Sequence, residues 1–265
     1  MSPRREPAPP RRAGDALFHE ALDRRRLTVL FQPLVDLRTG RVVGHEALSR
    51  GPAGTRLENP GVLFAAARAA GRTAELDWAC RCTAFSDALH SARCPSWRLF
   101  VNAEPETLGS ACPVDLVPHW RRAHRSLRVV VELTERSLLR RPAQLLQVVA
   151  TLRELGWEVA LDDVGANSDG VALLPVVEPD VVKLDASLLG EHLDAGQRAT
   201  LRAVEAWTGR ARSTVVAEGI ETARHLRRAV ELGATWGQGF LLGRPSPLPP
   251  LPPDAAAPAR PPRCA

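Results

Sequence analysis

Between Leu27 and Gly239 the chain alternates short apolar, β-branched runs with longer segments whose apolar residues recur at helical spacing. Few folds accept that order, because strands separated by helices run parallel and have to be covered on both faces. Leu27–Leu34 and Arg41–Leu48 are joined only by the turn-like Asp36-Leu37-Arg38-Thr39-Gly40, so the domain opens with an antiparallel hairpin. Strands follow at Trp97–Val101, Leu127–Val131, Trp157–Leu161, Pro179–Val182 and Ser213–Ala217. Helices are predicted over Ala13–Arg26, Pro60–Leu89 with a break at Gly71, Glu106–His124, Thr134–Leu155, Ala186–Gly209 and Thr222–Leu232. Strand and helix alternate about six times after the hairpin, which fits a parallel α/β fold closed into a barrel.

The strand-like runs end in polar residues: Glu46, Asn102, Glu132, Asp162 with Asp163, Lys183, Glu218 and, after Trp236, Gln238. In a closed α/β barrel the C-terminal strand ends share one face. Taken singly, each acid reads equally well as a helix N-cap or first-turn residue, and Asp162-Asp163-Val164-Gly165 as a turn. Taken together, five carboxylates at one mouth cannot all stay ionised without cations. Oxygen-rich sites suit hard divalent ions, here Mg²⁺ or Mn²⁺. Two such ions roughly 3.5–4 Å apart activate a water and stabilise the oxygens of an in-line displacement on a phosphodiester. Adjacent Asp162 and Asp163 suit ligation of both ions. On a continuing strand they face opposite ways, but where the chain turns at a strand end both can converge.

Lys183 is the only lysine in 265 residues; every other basic side chain outside the histidines is arginine. A codon habit would leave one lysine by accident. The alternative is that a compact, rotatable ammonium is needed at a place where a planar guanidinium does not fit.

The length suits one barrel-sized domain. No apolar run approaches the roughly 20 residues that span a bilayer, and the Arg/Pro-rich start lacks a signal-peptide core, so membrane insertion is not expected and the cytoplasm is. Five cysteines without a Cys-x-x-Cys pair fit reduced thiols. The net charge of +5 sits mostly at the two ends, which excludes a large nucleic acid as partner. Residues 1–13 are expected to be a disordered Pro/Arg-rich start, 14–247 the barrel domain and 248–265 a flexible Pro/Ala-rich tail.

Seven motifs in order carry a resemblance: Phe31-Gln32-Pro33, Gly44-His45-Glu46-Ala47-Leu48-Ser49-Arg50, Val131-Glu132-Leu133-Thr134-Glu135, Leu161-Asp162-Asp163, Val182-Lys183-Leu184-Asp185, Ala217-Glu218-Gly219-Ile220-Glu221 and Gln238-Gly239-Phe240-Leu241-Leu242-Gly243-Arg244-Pro245. Together they resemble the EAL family of cyclic di-GMP phosphodiesterases. The resemblance implies a modified TIM (β/α)8 barrel whose first strand is antiparallel. It implies hydrolysis of cyclic di-GMP, a bacterial second messenger, to linear pGpG. By resemblance, Glu46, Asn102, Glu132 and Asp162 hold one metal, with Asp162 shared and Asp163 serving the second. Lys183 and Glu218 position or activate the attacking water. Gln32, Leu48 and Arg50 contact the dinucleotide, Arg50 at a phosphate, with Gln238 nearby. Glu135 anchors the loop after the Asp pair, and Glu221 braces the rim.

That loop departs from the family, which usually reads Asp-Phe-Gly-Thr-Gly-Tyr-Ser-Ser; here it is Asp163-Val164-Gly165-Ala166-Asn167-Ser168-Asp169-Gly170. Its aromatic and its hydroxyl, tied to metal-site control and to the dimer contact, are missing. A homodimer or a separate sensory partner therefore stays open. Two other readings compete with the hydrolase. One is a module of the same fold that binds cyclic di-GMP or a protein partner without cutting. The other is a Schiff-base or enolising barrel using Lys183.

Overall fold

The computed structural model describes residues 13–23, 25–91, 97–104, 107, 109–134, 142–166 and 170–249. Eight strands close into one barrel in chain order: β1 (Thr28–Asp36), β2 (Val42–Arg50), β3 (Arg98–Asn102), β4 (Arg128–Thr134), β5 (Glu158–Val164), β6 (Val181–Leu184), β7 (Thr214–Ala217) and β8 (Trp236–Gly237). β1 is antiparallel to both neighbours, β2 and β8, and all other pairs are parallel. This is the (β/α)8 barrel with a reversed first strand that the opening hairpin predicts.

Strand periodicity sets the interior. Leu34, Phe100, Val130, Ala160, Val181 and Val216 form a buried apolar layer inside the barrel. Their large and small side chains interlock. A Cβ on Gly44 would lie 2.8 Å from the Phe100 ring and from the Arg98 carbonyl, so glycine is required where phenylalanine crosses the axis. With a period of two, the next inward position along β3 to β7 is Asn102, Glu132, Asp162, Lys183 and Glu218. One apolar layer thus floors a polar ring.

The outer strand faces pack under helices α1 (Ala13–Asp23), α2 (Pro60–Ala69), α3 (Thr73–Leu89), α4 (Val117–Ser126), α5 (Pro142–Glu154), α6 (Ala195–Thr208) and α7 (Ala223–Glu231). Phe18, Leu22, Leu57, Leu63 and Leu76 make a second cluster between α1, α2 and α3. Burying each such side chain contributes about 1.5–3 kcal/mol.

Several boundaries differ from expectation. β2 runs two residues past Leu48 to Arg50, and β5 runs to Val164, so Asp162 and Asp163 lie inside a strand rather than beyond it. The helix expected over Ala186–Gly209 is two pieces. A 3₁₀ turn, Ala186–Leu189, is capped by Asp185, and Asp194 with Gln197 forms a capping box that starts α6 afresh. α4 begins only at Val117, where Pro118 sits in the first turn. Short turns at Gly170–Leu173 and Leu174–Val177 join β5 to β6. Residues 1–12 and 250–265 lie outside the described residues. No helix among the described residues is long and apolar enough to cross a membrane.

Candidate active site

Lys183 is 1% exposed at the centre of the polar ring. Its Nζ lies 2.6 Å from Glu132 Oε1, 2.8 Å from Glu218 Oε1, 3.0 Å from Asp162 Oδ1 and 3.6 Å from Glu46 Oε2. Glu46 is held from its other side: Gln238 Nε2 donates to Oε2 at 2.6 Å, and Asn102 Nδ2 to Oε1 at 3.0 Å. Gln238 Nε2 also reaches Gln32 Oε1 at 3.1 Å, and Gln32 Nε2 donates to the Gly243 carbonyl at 3.1 Å. The glutamines thus run as a buried brace from Gly243 to Glu46. Close approach at Gly239 makes this possible: a Cβ there would lie 2.2 Å from the Ile220 nitrogen.

The adjacent aspartates converge through a bulge. The β5–β6 register shifts between Leu161 and Val164, and Asp163 takes φ = 58°. Aspartate tolerates this left-handed conformation better than most residues. One ligand oxygen each from Asp162, Asp163 and Glu218 then lies within 4.8 Å of the others.

These oxygens fit hard cations. Five carboxylates face one ammonium, and among the described residues no hydrogen-bond donor reaches Asn102 Oδ1 or the buried Glu132 Oε2. Burial first, then the Glu46 charge, pushes the Glu132 carboxyl well above its usual range. Burial likewise lifts Asp163, helped by Asp162. It lifts Glu218 to about 8, against the pull of Lys183. Without cations, the ring holds more negative charge than it can keep ionised.

A model of the EAL domain matches residues 16–245. The chain belongs to the EAL domain family. It is 32% identical over 239 residues to the cyclic di-GMP phosphodiesterase NbdA of Pseudomonas aeruginosa, covering 87% of this chain and 30% of that one. The manganese/cyclic di-GMP complex of Klebsiella pneumoniae BlrP1 superposes with a TM-score of 0.72 at 30% identity, over 83% of this chain and 56% of that one. The cyclic di-GMP complex of the MucR phosphodiesterase of P. aeruginosa gives 0.73 at 27% identity, over 88% and 98%. This EAL chain spans about a third of the length of the first curated relatives it matches, 31% and 37%.

Beside the ring, the EAL barrel opens into a cleft of about 740 Å³ whose walls include Leu48, Arg50, Asn102 and Asp163. It borders the ring at Asn102 and Asp163. Glu221 is exposed beyond β7, and its side chain pairs with nothing among the described residues; the structure does not bring it into the ring. Glu135, like Asn167–Asp169 of the altered loop, lies outside the described residues.

The cleft also takes Phe64 and Arg68 from α2, and Asp77 and Arg81 from α3. Helical spacing alone puts Phe64 in the core and gives the others no function. Asp77 and Arg81 form a buried ion pair at 2.8 Å. Asp77 accepts from the Glu104 N–H and the Thr107 hydroxyl, so it holds the segment that follows Asn102. Opposite charges four residues apart in an otherwise apolar stretch are the clue the sequence offers.

Lys183 argues against Schiff-base chemistry. Burial works against its ammonium, but Asp162, Glu132, Glu218 and Glu46 outweigh that and hold its pKa well above the ordinary value. An amine nucleophile needs the opposite shift.

Proposed function

We propose that this EAL domain is a metal-dependent phosphodiesterase that hydrolyses cyclic di-GMP to linear pGpG in the cytoplasm. The observation that carries the reading is the ring itself: Glu46, Asn102, Glu132, Asp162, Asp163, Lys183 and Glu218 are all present and converge. Glu46, Asn102, Glu132 and Asp162 would hold one Mg²⁺ or Mn²⁺, and Asp162 with Asp163 a second. When bound, the ions lower the pKa of the attacking water and neutralise phosphate charge.

The residues of the chain supply the rest. Arg50 binds a non-bridging phosphate oxygen, and Leu48 lines the cleft for the dinucleotide. Gln32 and Gln238 act through Glu46, whose carboxylate they fix. Glu218, partly exposed at the rim, accepts the proton of the water, while Lys183 holds that water and the charge growing on the phosphate. Water adds to phosphorus, the bond to one ribose 3′ oxygen breaks, and that oxygen takes a proton.

The altered loop Val164–Gly170 favours a second reading, a domain that binds cyclic di-GMP without cutting it. Incubation with cyclic di-GMP and Mg²⁺ or Mn²⁺, with products separated by chromatography, distinguishes the two: linear pGpG supports the enzyme, and intact cyclic dinucleotide the binding module.

A further inference from the structure

Of the four proposed ligands of the first ion, Asn102 is the one that is neutral and the one that is exposed. Glu46, Glu132 and Asp162 are buried within their strands, whereas Asn102 is the last residue of β3. A carboxylate attracts a cation over several ångströms, but a carboxamide oxygen contributes only where its dipole meets the ion. Asn102 therefore depends more than the others on what holds it in place.

The chain behind Asn102 is held from α3. The Ala103 N–H donates to the Glu132 carbonyl at 3.2 Å, which ties it to the sheet. The next N–H, that of Glu104, makes a long bond of 3.4 Å to Asp77 Oδ1, and the Thr107 hydroxyl donates to Asp77 Oδ2. Thr107 N–H donates to the Glu104 carbonyl at 2.8 Å, closing the turn between these two contacts. Three residues on, the Trp78 indole N–H donates to the Ser110 hydroxyl at 3.1 Å. Arg81 completes the clamp, with Nη2 2.8 Å from Asp77 Oδ2 and its guanidinium carbon 4.1 Å from the centre of the Trp78 ring. Asp77, Arg81 and Thr107 are all buried. A buried ion pair contributes little net stability compared with apolar side chains of similar volume, so strength alone does not account for one here. What it supplies is direction, because a carboxylate locked by a charged partner offers its two oxygens at fixed positions, one for each end of the turn.

We propose that Asp77 is a positioning residue for the hydrolysis: through the Glu104–Thr107 turn it sets where the Asn102 carboxamide stands in the ring. So placed, Asn102 donates from Nδ2 to Glu46 Oε1 at 3.0 Å, and its Oδ1 remains for the ion. The role in hydrolysis rests on the phosphodiesterase reading; the clamp itself does not.

Asp77→Ala would leave the Arg81 charge unpaired inside the protein and unfold it for that reason alone, so the test changes Thr107. Thr107→Val keeps the shape and removes the hydroxyl, and Thr107→Ser keeps the hydroxyl. The chain has three asparagines, Asn59, Asn102 and Asn167, so ¹⁵N-asparagine labelling of the full, metal-free chain gives three side-chain amide signals, and Asn102→Asp identifies the one of interest. In Thr107→Val the Asn102 amide is expected to exchange with solvent about tenfold faster as its bond to Glu46 loosens. The signal of Asn59, which caps α2, should stay unmoved, and Thr107→Ser should match the parent. Calorimetry should show Mn²⁺ binding about tenfold weaker in Thr107→Val. Val204→Ala, a loss of packing in α6 on the other side of the barrel, should leave that affinity unchanged. An Asn102 signal identical in Thr107→Val and the parent overturns the clamp. Unchanged Mn²⁺ affinity in Thr107→Val, or an equal loss in Val204→Ala, overturns its role at the ring. A parent chain that binds no Mn²⁺ sinks the phosphodiesterase reading and that role with it, while the amide signal, read without metal or substrate, still decides whether the clamp exists.

Discussion

Lys183 Nζ lies 2.6 Å from Oε1 of Glu132, and both side chains are wholly enclosed by the barrel. The pair is the electrostatic keystone of the site, since removing one member of a buried pair leaves an uncompensated charge. Lys183→Met is therefore expected to destabilise the metal-free protein by about 3–5 kcal/mol. It should also lower kcat strongly while leaving cyclic di-GMP binding nearly unchanged. Lys183→Arg should rescue little, because a planar guanidinium does not fit among four converging carboxylates. Denaturant melts and steady-state kinetics check both; full activity in Lys183→Arg would make the lone lysine an accident of codon use.

Metal binding should stabilise the fold by relieving repulsion in the ring. With Mg²⁺ or Mn²⁺ at 100 times its dissociation constant, the gain is about 2.7 kcal/mol. Tm should rise accordingly and fall back with excess chelator. Ca²⁺ should raise Tm without supporting turnover, its looser geometry not holding the water in line. A Tm indifferent to all three ions would sink the two-ion site.

Gln238→Ala should expose the function of the glutamine brace. Glu46 loses its 2.6 Å hydrogen bond, so metal affinity is expected to fall about 10–100-fold with the fold retained. Isothermal titration with Mn²⁺ reads this directly. Unchanged affinity would return Gln238 to direct contact with the dinucleotide, where the family resemblance puts it.

Much of this site was open to sequence reasoning, for a physical reason. Because side chains alternate across a strand, Val130-x-Glu132, Ala160-x-Asp162, Val181-x-Lys183 and Val216-x-Glu218 each place a polar group one layer above the apolar floor. Any closed barrel then gathers those groups, whatever the loops do. The convergence of Asp162 and Asp163 is different, since it depends on a bulge and the φ of Asp163 rather than on a chain turn past the strand end. Register shifts leave little trace in residue identity. The use of Gln32 and Gln238 was equally hidden, because two residues 206 positions apart meet only when β1 closes against β8. The cleft walls on α2 and α3 depend on how far the helices stand from the rim, which hydrophobic spacing does not encode.

The ring should also give the metal-free protein an inverted pH dependence. Glu218 rises from its ordinary 4.5 to about 8 in the folded state, so between those values the native state binds more protons than the unfolded one. Stability contributed by this group is full below about pH 4.5 and is lost as pH rises towards 8. Tm without metal should therefore decline across that window, and Glu218→Gln should flatten the decline. A parent protein whose metal-free Tm climbs steadily from pH 5 to 8, matched by the variant, would contradict the charge imbalance.

Hydrolysis of cyclic di-GMP in ¹⁸O-labelled water with Mn²⁺ present, followed by mass spectrometry, reads directly whether this ring directs water onto a phosphodiester. The expected product is linear pGpG carrying one ¹⁸O in its terminal phosphate, with none formed in chelator and almost none with Lys183→Met. Cyclic di-GMP that binds the protein and is recovered whole and unlabelled would contradict it.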